Sequence, residues 1–526
     1  MVKERKAEYK PLSFSTTMRN PLRIMGFLNC ILPFEGKVLT NEIIHEITIN
    51  IISNKLYYTT YEKSNNEYKN IYNNEDLPFS REQVEDIMVK SPQQHKEKGF
   101  DKGWPSRFDT WYKLPMEFGF LQYEIGKPIK ISITGHMLID AYNENPVNEG
   151  KIKDVFLNAL MKYQTNNPYR KNANKNVPLI LLLQVIKMLK EDKQENGAGI
   201  HRNELSLLIC WPDNNALNLY KKIKQLRKKY GFSYSDEIIY ENCLEILGTD
   251  SSKKNRFKIS QITGEAVDDF IRKVRITGIV SLRGQGRFLD FNTFEISKIE
   301  YILKNYSSYK NTFANCDEYF KYMGNIDSNI ISMEITVNDD LVRNAREKML
   351  NFWASKYSKD SIFNELRAVC NNRESKNDVL RLIDKPTRLE FLVSIALKQN
   401  YENVIVCPNY HVDDEGLPTF TASGGMADIE CFDEESNPLV EVTLMCSRNQ
   451  STNEIPAITR HLREAVRKYP DKIVFSIFVA PRIHEDTIYM SGYSKHQYDV
   501  DIIPLDVSSF ITKISENNRI VDVLKN

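Results

Sequence analysis

No Cys-x-x-Cys pair occurs anywhere in the 526 residues. The eight cysteines stand at positions 30, 210, 243, 316, 370, 407, 431 and 446. That scatter indicates neither a zinc ribbon nor a disulfide framework, and it reads as core or surface thiols in a reducing compartment. Cys407 and His411 are four residues apart, but no second pair completes a tetrahedral site. Also lacking is any apolar run that approaches a membrane span, and the first residues are polar and charged rather than a signal segment. A soluble, cytoplasmic protein with no membrane partner is therefore expected. No repeat of solenoid period is present, and Gly278, Gly284 and Gly286 do not have the spacing of a phosphate-binding loop.

A dominant charge is missing as well, since 71 Lys and Arg balance 70 Asp and Glu. The balance is uneven along the chain. Residues 386–526 carry 13 basic against 21 acidic side chains, which leaves 58 against 49 for residues 1–385. A basic front and an acidic rear suit a chain that grips a polyanion with one part and holds cations with another. With 41% hydrophobic residues the chain can build real cores, and its length predicts three or four domains.

What is present is chiefly an acidic hairpin. The run Met426–Phe432 and the run Pro438–Met445 both read as strands, joined by the turn 433–437, and they carry Asp428 and Glu441 thirteen positions apart. On the second strand Glu441 and Thr443 share one face, while Val440, Val442 and Leu444 take the other. Two carboxylates and a nearby main-chain carbonyl suffice for a hard cation such as Mg²⁺, which keeps several of its waters. Such a cation can activate water against a phosphodiester. An ordinary hairpin with one solvated face would carry the same residues. Upstream, Pro386 opens a helix running to Lys398, in which Glu390 is the only charge between Arg388 and Lys398. A helix apolar on nearly all sides is buried, and a buried carboxylate needs a partner or a metal unless it lies on a surface strip. The apolar run Ile473–Ala480 predicts a buried central strand.

The front half reads as helix-plus-hairpin units. A helix from Arg107 through Phe120 leads into strands Leu121–Ile125 and Ile129–Thr134 around Gly126. A second helix over Asp268–Gly278 leads into Ile279–Leu282, the loop 283–287 and Phe288–Phe291. A helix followed by such a hairpin suggests a winged helix. Candidate DNA contacts are Arg107, Lys113, Arg275, Arg283 and Arg287, and the lysine-rich helix Lys221–Lys229 could also approach phosphates. Plain scaffold and a solvated basic face are the competing readings. Residues 306–385 read as a helical connector with amphipathic stretches Asp339–Lys356 and Asp360–Arg373, and Ser64–Glu75 and Thr165–Asn176 read as surface loops.

Taken in order and spacing, these segments resemble the AlwI-type family of restriction endonucleases, which includes site-specific nicking enzymes. The resemblance is carried by 154–157 with 161–164, by the apolar helix from Val177, and by Arg275–Gly278. The C-terminal block adds Glu390, Ala427–Glu430, Glu441–Thr443, Pro456–His461 and Phe478–Pro481. The resemblance implies a multidomain chain. Its N-terminal half would be mainly α, with winged-helix-like DNA-recognition domains at 1–150 and 151–305, followed by a helical linker over 306–385. An α/β nuclease domain of the PD-(D/E)xK type, with a mixed sheet, would occupy 386–526. The implied activity is that of a type IIS endonuclease, cutting double-stranded DNA with Mg²⁺ a few base pairs outside a short asymmetric site. Asp428 and Glu441 would hold the metal with the Val442 carbonyl, and Glu390 would complete the site. Thr443 stands where the wider superfamily has lysine, and Ala427 where proline is common. His461 and Arg460 would steady a carboxylate or the scissile phosphate. Implied partners are a second copy or a second cleavage subunit and a cognate DNA methyltransferase. A nicking subunit that needs a partner, or a non-catalytic DNA-binding protein, are the alternatives.

Overall fold

The computed structural model describes residues 7–14, 16–73, 77–170, 172–195, 197, 199–249, 257–308, 313–333 and 337–525. The chain forms two compact units. The first comprises Met1–Tyr58, Ser80–Glu144 and Asn148–Thr336, and the second comprises Thr59–Phe79, Asn145–Val147 and Val337–Asn526.

The first unit is mainly helical, and two of its stretches each begin with a helix and a short strand and end in a hairpin, with several helices between, among them Arg81–Lys90 in the first. Helix α1 (Arg23–Ile31) precedes the short extended segment at Val38, then come α2 (Asn41–Ser53), α3 (Trp104–Glu117), β1 (Leu121–Gln122) and β2 (Lys130–Ile131). β1 pairs antiparallel with β2, and Val38 bridges Pro128 beside it. After α4 (Ile133–Asn143) and α5 (Glu149–Lys162), the second stretch runs α6 (Pro178–Glu191), β3 (Ile200–His201), α7 (Leu205–Cys210), α8 (Ala216–Tyr230), a further helix at Asp236–Ile246, α9 (Ala266–Arg275), β4 (Val280–Arg283) and β5 (Phe288–Phe291). Here too the first strand pairs with the last, in the order β3-β5-β4.

Three expectations are corrected in this part of the chain. The strands of the first hairpin hold two residues each, not five or six. Ser132 ends the second of them, because its side chain accepts the Gly135 amide at 3.0 Å and starts α4. The stretch from Ser64 is not a loop: its described residues belong to the short helices Thr60–Ser64 and Asn66–Asn73, with 74 and 75 outside the described residues. Nor is Thr165–Asn176 a surface loop, because Thr165, Asn167, Asn174 and Asn176 are buried. Asn174 and Asn176 both donate to the Trp211 carbonyl, at 3.0 and 2.8 Å, and Thr165 donates to the Asn174 carbonyl at 3.0 Å. A buried loop must satisfy its main-chain groups without a ladder, and amide side chains do so here.

The second unit is α/β. Helices α10 (Asp339–Lys356) and α11 (Lys359–Cys370), within the stretch read as a connector, pack on α12 (Lys385–Asn400). Trp353 of α10 meets Phe391 of α12 edge-on at 5.8 Å. The strands follow as β6 (Ile405–Pro408), β7 (Tyr410–Val412), β8 (Pro418–Ala422), β9 (Ile429–Phe432) and β10 (Leu439–Val442). Then come α13 (Ile455–Lys468), β11 (Ser476–Ala480), α14 (Glu485–Tyr498), β12 (Ile502–Asp506) and α15 (Val507–Glu516). A mixed five-stranded sheet runs β12-β11-β10-β9-β6, parallel across β10, β11 and β12 and antiparallel across β9 and β6. β11 is buried at every position, as its apolar run predicts. Its core partners include Leu439, Ile458, Leu462 and Ile502.

Because Asn174 and Asn176 share one acceptor, removing either leaves the Trp211 carbonyl with a partner. The Asn174→Ala and Asn176→Ala single variants are expected to lose about 1 kcal/mol each, and the double variant more than their sum, as the carbonyl is then orphaned. Urea unfolding of the four proteins checks this.

Candidate active site

The register of the β9–β10 pair brings the acidic residues together. Glu430 lies opposite Leu439 and Ile429 opposite Val440, so the next position outward sets Asp428 across from Glu441. Asp428 stands one residue before β9, and its Oδ2 accepts the Val442 amide at 2.7 Å. The Asp428 amide in turn reaches Glu441 Oε2 at 3.4 Å. Glu390 approaches from α12, a helix buried from Thr387 through Leu397, and its Oε2 accepts the Ala422 amide at the end of β8, at 3.1 Å.

His461 reaches the same place from α13, with Nδ1 2.9 Å from Glu441 Oε1. Its Nε2 is buried without a hydrogen-bond partner. Thr443 lies just past β10. Its hydroxyl bonds Glu454 and accepts the Met445 amide at 3.2 Å, so it tethers a fourth acid to the cluster. Glu454 is the residue that sequence reading missed. It ends a π-helical turn, Gln450–Glu454, that feeds α13, and no strand or helix periodicity marks it. That turn is held by the buried Gln450 amide, which donates to the Met445 and Arg482 carbonyls at 2.7 and 2.8 Å. Its oxygen accepts the His484 amide and the Thr487 hydroxyl at 3.0 and 2.9 Å. Every hydrogen-bonding position of that side chain except further lone pairs is used, which makes it a rigid clamp.

The electrostatics of the cluster are those of like charges in a poor solvent. Burial holds the Asp428 carboxyl well above its usual range, and Glu390 and then Glu441 push it further, against the Val442 amide. Burial also raises Glu441, against the stabilising contact with His461. Glu454 is raised by burial and by Glu441, against its bond from Thr443. Among the described residues no three His, Cys, Asp or Glu side chains stand at the mutual spacing of metal ligands. The donor set is nonetheless all-oxygen and acidic, and a hard cation that takes one or two carboxylates and keeps its waters fits it.

The remaining candidates lie elsewhere. Arg460 is exposed on α13. Arg107 donates twice to Gln93 Oε1, at 2.9 and 2.8 Å, and lies over the Tyr57 ring. Lys113 stands 4.0 Å from Glu97. Arg275 is buried, a correction to its reading as a groove contact: the face of α9 that carries it packs inward. Arg283 is also turned inward, with Nε 3.1 Å from Asp290 and a bond to the Phe291 carbonyl. Arg287 is exposed at the hairpin turn.

A mixed sheet thus brings together an acidic pair at neighbouring strands and a third acid from a buried helix. The family model described as AlwI restriction endonuclease matches residues 116–360 and 327–512. The chain belongs to the AlwI restriction endonuclease family, and is accordingly a DNA endonuclease of type II. Among solved structures it is similar to the small subunit (R.BspD6I2) of the heterodimeric restriction endonuclease R.BspD6I, at 23% identity over 32% of this chain and 84% of that one, TM-score 0.26. It is also similar to restriction endonuclease FokI, at 10% identity over 99% and 98%, TM-score 0.27, and to FokI bound to DNA, at 11% over 99% and 98%, TM-score 0.25. Superpositions this loose carry no residue-level correspondence. No curated protein sequence matches the chain.

Carboxyls whose folded pKa is raised bind more protons in the native than in the unfolded state between the two values. Stability is therefore fully present below the ordinary carboxylate range and is lost as pH rises through the raised one. Asp428→Asn keeps an acceptor for the Val442 amide and removes one charge. It is expected to raise the melting temperature at neutral pH in chelator, by about 2–4 °C for each kcal/mol regained, and to flatten the pH dependence. Thermal melts from pH 4 to 9 check this; an unchanged or lower melting temperature would contradict it.

Proposed function

We propose that the chain is a type IIS restriction endonuclease, in which the first unit recognises a short asymmetric DNA site and the second hydrolyses phosphodiester bonds outside it. The observation that carries the catalytic part is the buried acidic cluster of Asp428, Glu441, Glu390 and Glu454, whose mutual repulsion a cation relieves. Asp428 and Glu441 would hold Mg²⁺ with the Val442 carbonyl. When bound it supplies Lewis-acid polarisation of the phosphate and eases deprotonation of the attacking water.

The chain's own residues do the positioning. His461 fixes the rotamer of Glu441 through its Nδ1 contact and opposes the upward push of burial on that carboxyl. The Val442 amide does the same for Asp428. Glu390, anchored by the Ala422 amide, and Glu454, anchored by Thr443, bring further negative charge to the place where cationic and water ligands would gather. Displacement at phosphorus leaves a 5′-phosphate and a 3′-hydroxyl.

The recognition part rests on two stretches that each run from a helix and a short strand through several helices to a hairpin, with the first strand paired to the last, an order like that of a winged helix with added helices. It supports two winged-helix-like domains, at 1–150 and 151–305, while Val337 onward, including α10 and α11 from the stretch read as a linker, belongs with the nuclease unit. Within the second, Arg287 at the turn and the exposed lysines 221, 228 and 229 of α8 are the groups available to phosphates. Others are already engaged: Arg227 of α8 forms a buried bidentate pair with Glu204, with both bonds at 2.7 Å.

Supercoiled plasmid with Mg²⁺ is expected to give discrete fragments with wild-type protein and none with Asp428→Ala or with EDTA. Retention of specific fragments without any cleavage would instead favour a binding protein. For recognition, Arg287→Ala is expected to weaken DNA binding and lower the salt slope by about 1. Arg283→Ala is expected to leave the slope unchanged and cost stability, through loss of its Asp290 pair. Fluorescence titrations across a salt series separate the two.

A further inference from the structure

The two helices that precede the hairpins of the first unit present opposite surfaces. α9 is sealed. Its Lys273 is fully buried and donates to Asp269 Oδ1 at 2.6 Å and to the Arg19 carbonyl at 3.1 Å, Arg275 is buried, and Asp268 is engaged by Arg202. α3 keeps one strip open. Arg107, Thr110 and Lys113 are spaced by three and so share a face. Each is half-buried, and together with His95, Glu97 and Asn172 they line a cleft of about 440 Å³. That lining mixes cations with a carboxylate and an amide. A track for phosphates would be basic throughout, whereas base edges offer donors and acceptors in turn.

Within the strip, Arg107 is held still with its charge intact. Its Nε and Nη2 donate to the single oxygen of Gln93 at 2.9 and 2.8 Å, and its guanidinium lies 5.4 Å from the centre of the Tyr57 ring. Gln93 is fixed in turn: its amide donates to the Ser91 carbonyl at 3.0 Å, and its oxygen also takes the Tyr57 hydroxyl at 3.4 Å. Tyr57 rests on Trp104 and Trp111, with ring centres 6.1 and 5.0 Å away. Both partners of the guanidinium are neutral, so no carboxylate cancels it. His95 registers that charge, since burial and then Arg107 lower its pKa, against Glu97. Arginine has five N–H groups. Two are spent on Gln93, and the others, both of those on Nη1 included, have no partner among the described residues. The unspent edge is a planar fork that matches two acceptors side by side. Guanine presents such a pair, O6 and N7, in the major groove.

Given the DNA-recognition role proposed for the first unit, we infer that Arg107, oriented by Gln93, reads a guanine of the recognition site. Arg107 touches the base, and Gln93 is the positioning residue that keeps the fork planar and aimed while leaving its charge uncancelled. The matching face of α9 is closed, so a base edge meets no such fork there, and the exposed Lys228 of α8 has only phosphates to meet.

The test is selection of random-sequence duplexes by the full-length chain in EDTA, followed by titration of the enriched duplex and its single-base variants across a salt series. Wild type is expected to enrich a short motif that contains guanine. Arg107→Ala should abolish the preference at one guanine, lowering affinity for the enriched duplex about tenfold or more and leaving the other positions selective. Arg107→Lys keeps the charge and guards against loss of folding; it should relax the same position with the salt slope unchanged. Gln93→Ala should weaken that preference too, again without changing the slope, because orientation is lost and charge is not. Replacing the guanine by 7-deazaguanine should weaken wild type and leave Arg107→Ala indifferent. Lys228→Ala should weaken all duplexes alike and lower the slope by about 1. An enriched motif without guanine, no enriched motif, or Arg107 variants that keep every base preference would overturn the inference. So would a uniform loss with a lower slope in Arg107→Ala, which would make Arg107 a phosphate contact. Plasmid cleavage is read separately: its absence beside a selected motif would count against the nuclease reading, while the selection would still decide the role of Arg107.

Discussion

Several carboxylates that water would keep apart are gathered at one place in the second unit, and that crowding is the constraint around which the unit is organised. Removing ionised acids from solvent is expensive, and each raises the others' proton affinity. Asp428 feels burial first, then Glu390 and Glu441. Such an arrangement persists only where the surroundings over-determine it. Three separate elements do so here: the β9–β10 register, a helix buried on almost every side, and a clamped π-helical turn.

The rigidity of these supports has a common source. β10, β11 and β12 run parallel, with β11 covered at every position, so the floor of the site cannot slide without exposing apolar residues. Gln450 ties the loop after β10, the end of β11 and the start of α14 to one buried amide. A local rule is broken, several acids are buried close together, and the rest of the unit holds the violation in place. Breaches of this kind mark functional sites more often than defects.

The first unit treats buried charge in the opposite way. There several deep acids have a base beside them, Glu204 with Arg227, Asp154 with Lys298 and Asp269 with Lys273, and Asp109 takes the Tyr123 hydroxyl instead. Many of the basic residues that make the front of the chain look ready for a polyanion are consumed by these pairs. Arg275 and Arg283 belong with them by their inward placement, whereas Arg287 remains at the surface. A count of lysines and arginines overstates what DNA could meet.

Much of the second unit was legible in the sequence. Alternation in 438–445 and the turn before it are local patterns, and so is the apolar run of β11, because side-chain direction in a strand follows from a period of two. Asp428, Glu441 and the buried Glu390 could be singled out on that ground. Other features depend on what lies across from a residue. Whether a given arginine faces water or an aspartate on the neighbouring strand has no local signal, and neither has the burial of the asparagines of 165–176. Glu454 joins the cluster only because a π-helical turn, clamped by Gln450, swings it toward Thr443. His461 finds Glu441 through the packing of α13 on the sheet. The sequence by itself determined the strands, the buried helix and the acids they carry, since those follow from periodicity and the cost of burying apolar surface. Tertiary structure alone decided which charges are paired and which are left crowded, because electrostatic partnership depends on distance in space and not on spacing along the chain.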